Sequence, residues 1–142
     1  MTKKSDINTI HEIEKYYFGE DAFSKKHIQF LLDSSRSSID TFRIKDEIIG
    51  YIIIVKFNSI CLIHSLAVVH EYKGMGTGKK IMDLLELKCL VNGIKSIILA
   101  VKPSNYKAYA LYKKMGYVPY GTKKNYYEDG SSAVLMKKDL YA

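Results

Sequence analysis

The segment Lys73-Gly74-Met75-Gly76-Thr77-Gly78 constrains this chain more than any other. It follows an apolar stretch, Ile60 to Val69, and precedes an amphipathic one, Gly78 to Val91. Glycines at alternate positions let the backbone turn tightly and aim successive N–H groups into one concavity. The helix N-terminus behind them adds partial positive charge. Together they make a site for phosphate or pyrophosphate, with Lys73, Lys79 and Lys80 as counter-charge at its rim. Two familiar phosphate loops are excluded by spacing. GxxxxGK[ST] and GxGxxG both require glycine five residues after Gly74, and Lys79 stands there. The plain alternative, a flexible strand-to-helix turn, does not need three glycines.

Hydrophobic periodicity places this loop in a larger order. Asp6 to Tyr17 reads as a helix with Ile7, Ile10, Ile13 and Tyr17 on one face. Ser24 caps a second helix with Ile28, Leu31 and Leu32 as its stripe. The period then changes to two. Ile39–Ile44, Ile48–Phe57 and Ile60–Val69 read as an antiparallel meander. After the loop and its helix come a short apolar strand, Ser96–Val101, and a helix capped by Ser104 or Asn105 that stops at Gly116. Two strands, Tyr117–Tyr127 and Ala133–Lys137, close the chain. The expected fold is mixed α/β: about six or seven mostly antiparallel strands with about four helices, in one domain spanning 1–142.

Composition narrows the partners. The 142 residues are 47% hydrophobic and 26% charged, a globular balance. No apolar run approaches the roughly 18 residues that span a bilayer, and no signal-peptide core follows the basic start. A cytoplasmic chain without membrane contact is expected. Cys61 and Cys89 form no CxxC, and the four histidines are scattered, so the sequence gives no metal signature. The net charge is +7, and residues 102–142 hold eight lysines against three acids. That favours an anionic partner. Only Arg36 and Arg43 are arginine, which disfavours specific nucleic-acid reading.

The run Lys73 to Gly78 resembles the pyrophosphate loop [QR]-x-x-G-x-[GA] of the GNAT superfamily of acetyl-CoA-dependent N-acetyltransferases. Lysine in the first position keeps the charge and loses the planar fork. A second block, Asn105 to Tyr117, resembles the superfamily's N-x-x-A-x-x-L-Y-x-x-x-G-[FY] through Asn105, Ala108, Leu111, Tyr112, Gly116 and Tyr117. Ser65-Leu66-Ala67-Val68, Val101-Lys102-Pro103-Ser104-Asn105 and Asn125-Tyr126-Tyr127-Glu128-Asp129-Gly130 are similar to segments of two subgroups. These are the RimI-type ribosomal-protein-alanine acetyltransferases and the catalytic subunits of archaeal and eukaryotic N-terminal acetyltransferases.

The resemblance implies direct transfer of acetyl from acetyl-CoA to an amine. Leu66, Ala67, Val68, Lys73, Gly74, Met75, Gly76, Thr77, Gly78, Lys79, Asn105 and Tyr112 would meet the cofactor. A backbone N–H near Leu66 to Val68 would hold the oxyanion, and Tyr112 would protonate the leaving thiolate. Glu20, Asp21, Tyr126 and Tyr127 would border the acceptor, a protein or peptide N-terminus presented near the ribosome. One position departs from the family. Its L-[EH]-V context reads Leu99-Ala100-Val101 here, so the usual base is missing. Glu20, Asp21, His64 (on the face of Leu62 and Leu66 by period two) or a water relay are the substitutes. An α-amine, with pKa near 7.7–8.0, costs only about 1–1.4 kcal/mol to deprotonate at pH 7, against roughly 4.6 for lysine. A weak base therefore favours α-amine acceptors. A small-amine acetyltransferase, a silent acetyl-CoA-binding module and a basic RNA-binding protein are the rivals.

Overall fold

A computed structural model describes residues 2–141. The elements in chain order are α1 (Ile7–Phe18), α2 (Lys25–Asp33), β1 (Ser37–Ile44), β2 (Glu47–Phe57), β3 (Ile60–Val68), α3 (Thr77–Val91), β4 (Ser96–Val101), α4 (Tyr106–Lys114), β5 (Val118–Lys123) and β6 (Ala133–Asp139). One six-stranded sheet runs β1-β2-β3-β4-β6-β5. Every neighbouring pair is antiparallel except β3 with β4. None of the described helices is long and apolar enough to cross a membrane.

Both faces of the sheet are covered, which is why β2 is buried over most of its length. On one face α3 and α4 close a core around Ile52, Ile54, Cys61, Ile63, Met82, Leu85, Ile97, Leu99, Tyr112 and Tyr117. On the other, α1 and α2 cover Ile39, Tyr51, Ile53, Val55 and Ala67 with Ile7, Ile10, Ile28 and Leu31. Cys61 and Cys89 are free and buried. Ser24 Oγ accepts from the His27 N–H and starts α2, and Asn105 Oδ1 accepts from Ala108 N–H and starts α4.

Two features of β3 shape the centre. Ile53 pairs with Ser65 and Ile54 with Ile63, so His64 is the extra residue of a β-bulge. The bulge reverses the alternation. Cys61 and Ile63 face α3, but so do Leu66 and Val68, while Ala67 faces α1 and α2. His64 therefore does not share a face with Leu66, as unbroken period two requires. Its ring packs edge-on against Phe23, 5.7 Å between centroids, on the α1–α2 side. Parallel pairing with β4 also ends at Ile63–Leu99, although β3 continues to Val68 and β4 to Val101. The two strands splay beyond that point.

Most boundaries shift by one or two residues, and the strand expected to begin the last hairpin shifts most. The strand expected over Tyr117–Tyr127 is shorter: Tyr117 precedes it as a buried core residue, and β5 ends at Lys123. Tyr126 and Tyr127 lie in a tight turn, because both of their N–H groups bond to the Ser131 carbonyl rather than to a strand.

Candidate active site

The glycine loop leaves a row of donors free. Gly74 and Gly76 sit at φ +79 and +75, the region only glycine enters cheaply. Lys80 N–H reaches the Gly76 carbonyl as the first helical bond of α3. The N–H groups from Gly74 to Lys79 have no acceptor among the described residues, and no side chain caps Gly76. Six consecutive free donors at a helix N-terminus are an anion cradle. A Cβ on Gly78 would lie 3.6 Å from Leu111, which ties the loop to α4. The lysines are less free than the sequence implies. Lys79 pairs with Asp83 at 2.7 Å, and the Lys73 ammonium sits 4.4 Å above the Tyr17 ring. Tyr17, whose hydroxyl accepts from His70 N–H, thus joins α1 to the loop.

The splay supplies a second set of free groups. Val69 N–H donates to the Ile49 carbonyl, and Gly50 pairs with Val68. By antiparallel alternation Ala67 then turns its polar groups toward β2, while Leu66 and Val68 turn theirs toward β4. No β4 residue pairs with them. Among Leu66, Ala67 and Val68, the first and last thus offer backbone donors and acceptors to the opening.

Tyr112 stands on the α3–α4 side, 8% exposed and edge-on to Tyr117 at 5.9 Å. Burial pushes its pKa up to about 12, so it is protonated at neutral pH. Its hydroxyl has no hydrogen-bond partner in the described chain, and no buried side-chain polar atom there is left unpaired. The hydroxyl is therefore in reach of solvent. Asn105 is occupied with capping α4.

His64 stands on the opposite side. In β4, Ile97, Leu99 and Val101 face α3 and α4, so Ala100 faces the α1–α2 side. His64 and Ala100 are the residues that follow the last paired couple, Ile63–Leu99, and both turn to that same face. Partial desolvation, then the nearby His27, lower the His64 pKa and favour the neutral imidazole.

The remaining acceptor candidates separate. Glu20 is exposed. Asp21 is not a free acid: it accepts from Glu128 N–H at 2.8 Å and from Lys102 Nζ at 3.3 Å. Lys102 also pairs with Asp129 at 3.3 Å and lies 4.8 Å above the Tyr127 ring. Burial works against the Lys102 charge, but the two carboxylates outweigh it and raise its pKa. The Ser131 hydroxyl and N–H hold Asp129 at about 2. Burial, then Tyr126, Asp21 and Tyr112, raise Tyr127.

One group the motif reading passed over is Glu14. It is 1% exposed and accepts from Tyr51 Oη at 2.5 Å, Ser65 Oγ at 2.6 Å and Phe23 N–H at 3.1 Å. Its signal was present: it lies four residues after Ile10 and seven after Ile7, on the buried stripe itself.

The GNAT acetyltransferase family profile matches residues 5–117. The chain belongs to that family. A putative ribosomal protein bS18-alanine N-acetyltransferase of Bacillus subtilis is 29% identical over 132 residues, 92% of this chain and 87% of the relative. An N-alpha-acetyltransferase of Saccharolobus solfataricus is 36% identical over 78 residues, 54% of this chain and 46% of the relative. The crystal structure of Ard1 from Thermoplasma volcanium is 25% identical, covers 99% of this chain and 95% of that one, and superposes with a TM-score of 0.92. As a GNAT enzyme the chain is an acetyl-CoA-dependent N-acetyltransferase. The free donors of the glycine loop and the opening between β3 and β4 fit that cofactor: phosphates for the cradle, and an amide-bearing arm for the unpaired strand edges.

Proposed function

We propose that the chain acetylates the N-terminal α-amine of proteins or peptides, with Tyr112 as general acid and His64 as general base. The observation that supports the reading is that His64 and Ala100, which follow the last paired couple Ile63–Leu99 on the two splaying strands, both face the α1–α2 side; Ala100 is the position where the family resemblance leads one to expect a carboxylate. The neutral imidazole takes a proton from the incoming ammonium or from the attacking amine. The amine nitrogen bonds to the thioester carbon, and the oxyanion accepts from a free N–H at Leu66 or Val68. The C–S bond then breaks. With a pKa of about 12 against about 8.5 for a thiol, Tyr112 is the weaker acid: it donates a hydrogen bond to the departing sulfur, and solvent returns any proton it gives up.

The names of the relatives support a protein acceptor, and so does the state of the acids. A small polycationic amine would want free carboxylates in the cleft, but Asp21 and Asp129 both pair with Lys102 and share its single charge. In this reading residues 1–142 act as one domain in the cytoplasm, close to where new N-termini leave the ribosome. The test is CoA release on peptides beginning Ser, Ala, Met, Met-Glu and Met-Leu, each against an N-terminally blocked control carrying an internal lysine. Release from free N-termini only is expected; release from none refutes the reading.

A further inference from the structure

We propose that Lys102 is a positioning residue that sets affinity for the acceptor by latching the β5–β6 turn onto the α1–α2 loop. The inference rests on the α-amine reading above. Three segments far apart in sequence meet at the Lys102 ammonium: Asp21 on the α1–α2 loop, Asp129 on the β5–β6 turn and the Tyr127 ring, with Lys102 itself one residue past β4. Asp21 adds a second link by accepting from Glu128 N–H.

The two loops differ in how they are held. The α1–α2 loop is fixed to α1: Phe23 N–H bonds to Glu14, the Phe23 carbonyl to His11 Nδ1, and Ala22 N–H to the Gly19 carbonyl. The β5–β6 turn is ordered from within. Tyr126 and Tyr127 N–H share the Ser131 carbonyl, Gly130 N–H bonds to the Tyr127 carbonyl, and Asp129 caps Ser131. Outside itself and its flanking strands, the polar contacts of the turn among the described residues are those to Asp21 and Lys102. It is a preformed unit attached to a fixed wall by one cation and one backbone hydrogen bond, both of which use Asp21. The Lys102 side chain is 31% exposed and Asp21 23%, shielded enough for the pair to hold and open enough to be broken singly.

With the latch closed, the Tyr127 ring is held under the Lys102 ammonium, and an incoming peptide meets a formed site. With it open, the peptide must order the turn as it binds, which weakens binding without touching the reacting groups. Lys102→Met keeps the apolar stem and deletes the cation.

The experiment compares wild type, Lys102→Met and Lys102→Arg in steady-state kinetics and native-state hydrogen exchange. Lys102→Met is expected to raise acceptor KM about tenfold while kcat and acetyl-CoA KM stay within about twofold. Exchange at the Glu128 amide should quicken about tenfold with core amides unchanged. Lys102→Arg should restore both. An unchanged Glu128 amide, or a loss confined to kcat or to acetyl-CoA KM, overturns the latch. A wild type inactive on every peptide refutes the α-amine reading alone; the Glu128 exchange still decides whether Lys102 holds the turn.

Discussion

Replacing Glu14 with alanine removes the acceptor for three donors at once. Two of them, the Tyr51 and Ser65 hydroxyls, converge on one carboxylate oxygen, and Tyr51 is fully buried. Stranding a buried donor costs about 1–3 kcal/mol. The Phe23 N–H is only partly buried, so water replaces its partner cheaply. Two stranded hydroxyls give a loss of about 4 kcal/mol, a large part of the roughly 5–15 kcal/mol typical of a domain. Glu14→Gln should cost less, about 1–3 kcal/mol. Its amide oxygen can serve both hydroxyls, which leaves its NH2 facing the Phe23 N–H, donor against donor. Urea denaturation of Glu14→Ala, Tyr51→Phe and the double variant measures this. Removing the Tyr51 hydroxyl should cost less once Glu14 is gone, because a stranded group is deleted with it. The coupling should be at least about 1 kcal/mol. Additive losses, or a Glu14→Ala loss below about 1 kcal/mol, refute the reasoning.

Other outcomes follow from the site. Tyr112→Phe should lower kcat about a hundredfold or more, with acetyl-CoA affinity kept in calorimetry, because the hydroxyl has no partner to strand. The raised Tyr112 pKa also has a linkage consequence. The unfolded tyrosine ionises near 10 and the folded one near 12, so its contribution is full below pH 10. It falls by about 2.7 kcal/mol as pH rises through and beyond 12, and the phenylalanine variant should lack that part of the alkaline slope. Gly50→Ala would set a Cβ 2.9 Å from the Ala67 carbonyl and 3.3 Å from Ile81, forcing β3 to shift beside the splay. A loss of about 1–3 kcal/mol in thermal or urea unfolding is expected.

The elements were readable because each carries its own period: the stripe of α2, the β-branched run of β2, the cap at Asn105. The cradle was readable because glycines at positive φ leave a spacing on the page. The bulge was not. Ile63-His64-Ser65 has no glycine or proline to mark it, and the alternation it breaks looks continuous in one dimension. It shows only in the pairing of β3 with β2, which exists only in the sheet. The latch was hidden for a related reason. Lys102 stands 81 residues from Asp21, and only the meeting of two loops shows that Asp21 is bound rather than free.

His64 and Ala100 lie on one face of two neighbouring strands, and whether a base at one position can do the work of a base at the other is testable. Both lie on the face turned toward α1 and α2, each one residue past the point where the β3–β4 pairing stops. Because burial and His27 hold the His64 pKa below its ordinary value of about 6.5, kcat/KM should fall as pH drops through a limb lying below that value. His64→Ala should abolish the limb and most of the rate at neutral pH. Ala100 is half-buried, and glutamate there would bring a carboxylate to the same face. In the wild-type background, Ala100→Glu should move the acid limb upward, because a neighbouring anion favours the imidazolium. In the His64→Ala background it should restore at least about tenfold of the lost kcat, since either side chain can then take the proton of the amine. A pH–rate profile of the four proteins decides it. If the double variant is no faster than His64→Ala and the single Ala100→Glu limb does not move, the two positions do not share a proton; if His64→Ala keeps the acid limb, the base lies elsewhere than on β3.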